Sequence, residues 1–187
     1  YLRHIPNMVF MVPRDENYLR HAMATALSYD GPFAYRYPRG SGTGADPEKP
    51  RALAVGQAEK LREGKDGVIF ATGVLVVEAL AAVETLASEG LELAVVDPIF
   101  LKPLDHDLLV AEASRTGYVF TVEENALEGG FGSAVLELFC EAGVHVPVKR
   151  IGLPDKFVEQ GSQEELRARY GLDAEGIVAT VRDSLKK

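Results

Sequence analysis

The chain has 187 residues, 47% of them apolar and 26% charged, so it is long enough to fold around a hydrophobic core in one domain or two. Its 28 acidic and 20 basic residues give a net charge of −8, which argues against general nucleic-acid binding, and no apolar run approaches the ~20 residues of a membrane span. A single cysteine excludes an internal disulfide framework, and we expect a cytoplasmic protein.

The first 40 residues predict one strand–helix–strand unit. An apolar run at 9–12 has the length of a strand, Asp15 is placed to cap a helix, and the aromatic-rich segment 33–37 predicts a second strand. Apolar residues at helical spacing predict the buried face of the helix: Leu19, Ala22, Met23, Ala26 and Leu27. Because ~40 residues cannot close a core alone, we expect the rest of this sheet to lie upstream of Tyr1.

Residues 41–51 are rich in glycine and proline and predict a linker between two domains. The strands predicted after it are 52–55, 58–61, 68–71, 93–96, 118–122 and 144–151. The helices that alternate with them are 75–88, 105–115 and 133–142, followed by two more that open at Ser162 and Asp173. This alternation predicts an α/β fold with a mostly parallel sheet and helices on both faces.

The segment Arg-Tyr-Pro-Arg-Gly at 36–40 follows a predicted strand. Ligand sites in open parallel sheets lie beyond the carboxyl ends of strands, and arginine presents a planar fork of donors that suits phosphate or carboxylate. Arg36 and Arg39 therefore indicate an anion site. The alternative is that both are surface arginines that pair with nearby acids.

Two other segments suit structural roles better than chemistry. Adjacent carboxylates at Glu123 and Glu124, followed by Asn125, would serve as acid and base only if their environments differed. Neighbouring side chains of an extended segment point opposite ways, so we expect a hydrogen-bonded loop or a subunit contact there. The glycine-rich run 129–132 has neither dinucleotide nor phosphate-loop spacing and predicts a tight packing turn.

No metal site or catalytic base is predicted. The four histidines have no metal-ligand spacing with Cys140 or with one another: His4, His21, His106 and His145. Cys140 lies in an apolar helical segment, where we expect it to pack as a small hydrophobic residue. Composition and spacing alone thus indicate no complete active site.

A series of short strings along the whole chain resembles the 1-deoxy-D-xylulose-5-phosphate synthase family. The strings lie, in the order of that family, at 1–8, 13–17, 30–32, 36–40, 102–105, 122–125, 129–133, 151–155, 160–161 and 171–176. Some of them, such as Glu-Glu-Asn, recur in other transketolase-like enzymes. Their combination with Arg-Tyr-Pro-Arg-Gly is specific to the synthases.

The resemblance implies a thiamine-diphosphate- and Mg²⁺-dependent enzyme that joins pyruvate to glyceraldehyde 3-phosphate with loss of CO₂, on the way to isoprenoids and thiamine. It implies that residues 1–40 end a pyrimidine-binding domain, 41–51 are a linker and 52–187 form a transketolase-type C-terminal domain. The cofactor-binding residues would lie upstream, so we expect this chain alone to bind no cofactor and to be inactive. The implied partners are the rest of the polypeptide, a second copy in a homodimer and a phosphate-bearing substrate.

One functional residue is carried over by the resemblance. Arg39 matches the arginine that helps to hold the phosphate of the acceptor, with Arg36 and Tyr37 as supporting candidates. Two alternatives stay open: the β-type subunit of a 2-oxoacid dehydrogenase, against which the strings at 36–40 and 151–155 speak, and a non-catalytic module that packs on a partner.

Overall fold

The structure, a computed structural model, describes residues 1–42 and 44–185. Thr43 of the predicted linker and the last two residues, Lys186 and Lys187, lie outside the described residues. Two β-sheets with flanking helices account for most of the described chain. Every described helix is too short or too polar to cross a lipid bilayer.

A small sheet contains β1 (Val9–Met11), β2 (Phe33–Tyr35) and β6 (Phe100–Lys102), in the order β2–β1–β6. Helix α1 (Glu16–Ser28) connects the parallel strands β1 and β2, as the sequence predicts. Strand β6 pairs antiparallel with β1 and was not predicted, because three residues carry no periodicity. Residues on both sides of the predicted linker therefore share one sheet, and the domain boundaries stay a prediction.

Helix α1 is capped as predicted, but of the five residues of its predicted buried face only Ala22 is fully buried. The Asp15 carboxylate accepts a hydrogen bond from the Tyr18 amide at 2.8 Å. Met23 is 51% and Leu27 is 89% exposed. The side of the helix that is buried is largely polar and consists of Asn17, Tyr18, His21, Ala22 and Thr25.

The polar side of α1 is buried because the segment 46–53 returns along it. Asn17 donates to the Asp46 carbonyl at 2.8 Å and accepts from the Glu48 amide at 2.9 Å. One and two turns later, the His21 ring accepts from the Arg51 amide and the Thr25 hydroxyl accepts from the Leu53 amide. The predicted strand at 52–55 is wrong, since no strand is formed there and the Leu53 amide bonds to the Thr25 side chain of α1.

The large sheet has five strands in the order β3–β5–β4–β7–β8. They are β3 (Glu59–Arg62), β4 (Gly67–Ala71), β5 (Leu93–Asp97), β7 (Val119–Ala126) and β8 (Val148–Leu153). Only β3 runs antiparallel to its neighbour, so the prediction of a mostly parallel sheet is confirmed. Strand β8 begins four residues later than predicted, because the Val144 amide instead bonds the Phe139 carbonyl at the end of the preceding helix.

Helices cover both faces of the large sheet, as predicted. They are α2 (Leu75–Ser88), α3 (His106–Thr116), α4 (Phe131–Ala142), α5 (Gln163–Tyr170) and α6 (Ala174–Leu185). Alternate residues of β4 point to opposite faces: Ile69 packs with α2 and α6, whereas Phe70 packs with α3 and α4. Helix α5 begins with the predicted capping box, in which Ser162 and Glu165 bond each other's backbone amides.

The prediction that Cys140 packs inside the fold is wrong. The buried face of α4 is formed by Phe131, Ala134, Val135, Leu138 and Phe139. Cys140 lies beside this face and is exposed.

Candidate functional site

Residues 36–40, which we call the arm, leave the carboxyl end of β2, and residues 37–40 of the arm form one wall of a cleft of about 660 Å³. The Arg36 amide still donates to the Met11 carbonyl of β1 at 3.0 Å, which fixes the start of the arm. The opposite wall is the segment 13–16 that leads into α1. The cleft thus opens beyond the carboxyl ends of the parallel strands β1 and β2, the place where such sheets bind ligands.

Tyr37 and Arg39 both line this cleft. The Tyr37 ring stacks on Tyr35, with the ring centroids 6.3 Å apart. Within residues 1–42 and 44–185, no acceptor pairs with the guanidinium of Arg39, which is exposed. The backbone carbonyl of Arg39 accepts a hydrogen bond from the side-chain amide of Gln163 on α5. Arg39 is therefore free to bind an anion with its whole guanidinium.

Arg36 lies apart from the other two predicted residues. Its guanidinium donates to the Glu124 carbonyl at 3.0 Å and stands 3.8 Å from the Glu124 carboxylate. It lines a second, smaller cleft of about 240 Å³ between the arm and α5, which Arg39 also borders. Arg36 thus has a nearby acid as a partner within the chain.

Glu123 holds the start of α4. Its carboxylate is buried and accepts from the Phe131 amide at 2.6 Å and the Gly132 amide at 2.8 Å. Burial raises the pKa of Glu123, although the two amides favour the ionised form. A Cβ atom on Gly130 would overlap the Glu123 carboxylate, so the glycine-rich run is the tight packing turn that the sequence predicts.

Glu124 points the other way and joins two elements. Its carboxylate accepts from the Arg167 guanidinium of α5 at 2.6 Å and also faces Arg36. The adjacent carboxylates of Glu123 and Glu124 are therefore separated by the strand, as their alternation predicts. Both have structural partners within the chain, and Asn125 is exposed.

A partly buried ionic cluster beside the cleft was not predicted. The Arg14 guanidinium lies 2.7 Å from the Glu59 carboxylate, 3.0 Å from the Asp97 carboxylate and 3.7 Å from the centroid of the Tyr18 ring. Burial raises the pKa of Asp97 to about 6, against the attraction of Arg14. Because the partners are distant in sequence, no local pattern could have indicated this cluster.

Asp97 also fixes the turn between β5 and β6. Its carboxylate accepts from the Ile99 amide at 2.8 Å. Ile99 has a φ of +58°, a left-handed conformation that β-branched residues rarely adopt. The Ile99 carbonyl in turn accepts from the Val12 amide at 2.9 Å, so this strained turn is what brings β6 beside β1.

No group of three or more histidine, cysteine or carboxylate side chains in the described part of the chain is arranged to hold a metal ion. The carboxylates at and beside the cleft have other partners: Asp15 caps α1, Glu16 accepts from the Gly44 amide, and Asp97 and Glu59 pair with Arg14. We derive no chemical step through a metal or a cofactor bound to this chain.

Comparisons with known proteins agree with this architecture. Residues 56–177 match the family "Transketolase, C-terminal domain". The chain is 61% identical over 184 residues to a 1-deoxy-D-xylulose-5-phosphate synthase of Syntrophotalea carbinolica, and the match covers 98% of this chain and 29% of that protein. It is 54% identical to 1-deoxy-D-xylulose-5-phosphate synthase 1 of Geobacter metallireducens, with 100% of this chain and 30% of that protein covered.

The chain thus spans less than a third of the length of these curated relatives. Among solved structures, it superposes with a TM-score of 0.86 and 36% identity on a protein described as "Split gene transketolase, inactive beta4 tetramer". That match covers 99% of this chain and 59% of the other. The fold predicted from the sequence is therefore shared with a transketolase along the whole described chain.

Proposed function

The chain belongs to the transketolase C-terminal domain family, and on this basis we propose that it is the C-terminal part of a 1-deoxy-D-xylulose-5-phosphate synthase. The observation that carries the proposal is the placement of Arg39. Its guanidinium has no partner within the described residues and borders a cleft beyond the carboxyl ends of two parallel strands. The identity of 61% to such a synthase across 98% of the chain supports it.

The proposed reaction of the whole protein is the condensation of pyruvate with glyceraldehyde 3-phosphate, with loss of CO₂. Thiamine diphosphate supplies the electron sink for decarboxylation when it is bound with Mg²⁺, and we assign its binding to residues outside this chain. The contribution of this chain is to bind and orient the acceptor. Arg39 holds the phosphate by paired hydrogen bonds, which directs the aldehyde end toward the reacting centre.

The three predicted residues then have different tasks. Arg39 contacts the phosphate, and Tyr37 forms the wall of the cleft beside it. Arg36 anchors the arm to Glu124 and stays a supporting candidate only. Because the phosphate of the acceptor carries up to two negative charges near neutral pH, it suits the charge-assisted hydrogen bonds of an arginine.

We further propose the domain assignment that the resemblance implies. Residues 1–40 end a pyrimidine-binding domain, 41–51 connect it and 52–187 form the C-terminal domain. The exposed apolar side chains of Met23 and Leu27 would pack against the rest of the same polypeptide. Homodimer formation and a cytoplasmic location are part of the same proposal.

Enzyme assays test the proposal. The purified 187-residue chain is incubated with pyruvate, glyceraldehyde 3-phosphate, thiamine diphosphate and Mg²⁺, and release of CO₂ is followed. We expect no turnover, in line with a similar solved protein that is described as inactive in its beta4 form. We expect turnover from a polypeptide that carries this chain after the upstream synthase domains. Turnover by the 187-residue chain alone would overturn the assignment of the cofactor to upstream residues.

The choice of acceptor separates the synthase from the 2-oxoacid dehydrogenase alternative. A synthase releases CO₂ faster when glyceraldehyde 3-phosphate is added, and its sugar phosphate product accumulates. A 2-oxoacid dehydrogenase subunit would be indifferent to that aldehyde. Indifference of the longer polypeptide would therefore contradict the proposal.

A further inference from the structure

Both ends of the arm are tied to the C-terminal part of the chain by one continuous series of polar contacts. At the first end, the Arg36 guanidinium donates to the Glu124 carbonyl at 3.0 Å. The Glu124 carboxylate accepts from Arg167 Nε at 2.6 Å, and Arg167 Nη2 donates to Gln163 Oε1 at 3.2 Å. The side-chain amide of Gln163 then donates to the backbone carbonyl of Arg39 at the other end of the arm. We call Glu124, Gln163 and Arg167 the clamp.

The clamp is built on rigid elements. Gln163 and Arg167 are four residues apart on α5 and therefore share one face of that helix. The capping box at Ser162 and the left-handed Gly171 fix the two ends of α5. The side chains of Glu124 and Arg167 are each only 17% exposed, so solvent screens their ion pair less than a surface pair.

Gly40 of the arm lies beside Gln163 and has a φ of +149°, which L side chains rarely adopt. The side-chain amide of Gln163 suits this place, because its oxygen accepts a hydrogen bond from Arg167 while its nitrogen donates one to the Arg39 carbonyl. Neither an acid nor a base at this position would serve both neighbours.

None of the three clamp residues borders the larger cleft, whereas Arg39 does. We infer that Glu124, Gln163 and Arg167 are positioning residues. They fix the backbone of the arm, so that Arg39 is already ordered when it contacts a phosphate group. This inference rests on the proposed role of Arg39. A free arm would lose backbone and side-chain entropy on binding, and a clamped arm has lost part of it already.

The test is a titration of the chain with inorganic phosphate, followed by ³¹P NMR. Gln163→Ala removes both clamp contacts of that residue, and we expect it to weaken phosphate binding about three- to tenfold, as for one or two exposed hydrogen bonds. Gln160→Ala is the matched control, since Gln160 is an exposed glutamine three residues earlier for which the described residues offer no hydrogen-bond partner. We expect this control to bind phosphate like the unmodified chain, with both variants unfolding at the same temperature.

The double variant distinguishes positioning from a general structural effect. If the clamp acts through Arg39, Gln163→Ala has no further effect once Arg39→Ala is present. An equal loss in both backgrounds would overturn the inference. The inference would also be overturned if Arg39→Ala weakened phosphate binding and Gln163→Ala did not. That result would leave the proposed role of Arg39 intact. If Arg39→Ala binds phosphate like the unmodified chain, the proposed function of Arg39 fails, and the inference fails with it.

Discussion

Arg14 and Asp97 form a buried ion pair, with 3.0 Å between Nη1 and Oδ2, and it joins the residues before the predicted linker to those after it. The Arg14 guanidinium also pairs with Glu59 and covers the face of Tyr18. One side chain therefore balances two carboxylates beside the proposed substrate cleft. Its loss would leave the buried Asp97 without a compensating charge.

We predict that Arg14→Met lowers the free energy of unfolding by about 3 kcal/mol, because removing one partner of a buried pair leaves the other uncompensated. Urea denaturation measures the change. Arg20→Met is the control, since Arg20 is exposed on α1, and we expect it to change stability by less than about 0.5 kcal/mol. Equal effects of the two substitutions would show that the cluster adds nothing to stability.

The raised pKa of Asp97 predicts how stability depends on pH. Its folded pKa of about 6 lies above the ordinary 3.8, so between these values the folded state binds more protons than the unfolded state. The contribution of Asp97 is therefore fully present below pH 3.8 and is lost as the pH rises through 6. Relative to Asp97→Asn, the unmodified chain should lose up to about 3 kcal/mol of stability between pH 4 and pH 7. A difference that grows in the opposite direction would contradict this assignment.

Gly130 is predicted to resist substitution for lack of space. A Cβ atom there would overlap the Glu123 carboxylate and the Ala126 carbonyl, and neither can move without disturbing the start of α4. We expect Gly130→Ala to destabilise the chain by more than about 2 kcal/mol. Gly143→Ala, where only the left-handed backbone resists and no atom lies near the new Cβ, should cost about 1 kcal/mol. Thermal unfolding of the two variants compares them, and a smaller loss at Gly130 would contradict the packing argument.

The Thr25 hydroxyl is predicted to hold the returning segment on α1. It accepts from the Leu53 amide at 2.9 Å and donates to the His21 carbonyl at 2.6 Å. Thr25→Val should cost about 1–2 kcal/mol and speed hydrogen exchange at the Leu53 amide, because that amide loses its acceptor. Thr85→Val provides the control, since the Thr85 hydroxyl donates an exposed bond to the Ala81 carbonyl of its own helix. Unchanged exchange at Leu53 would exclude this role.

Local sequence patterns predict the large sheet well. The bounds of α2 agree with its periodicity, and the caps at Asp15, Asp105 and Ser162 follow from side-chain chemistry within four residues. The face of α1 could not be predicted from hydrophobicity. Its buried side chains bond the backbone of 46–53, and periodicity does not register a bond between a side chain and a distant backbone.

Sequence patterns likewise predict one part of the candidate site and miss another. The placement of Arg39 at a cleft was predictable, because its segment follows a strand end, where parallel sheets have their clefts. Its positioning by Gln163 was not, since the two residues are 124 positions apart and only the folded chain brings them together. The pairing of Arg14 with Asp97, 83 positions apart, is hidden from sequence patterns for the same reason.

The most direct test of the central proposal is the steady-state kinetics of Arg39→Ala in a polypeptide that carries this chain after the upstream synthase domains, with Arg20→Ala as the control. Loss of a charge-assisted phosphate contact should raise the KM for glyceraldehyde 3-phosphate about tenfold or more. The KM for pyruvate, which has no phosphate, should stay within about twofold. An unchanged KM for glyceraldehyde 3-phosphate, or an equal rise for both substrates, would contradict the assignment of Arg39 as the phosphate-binding residue.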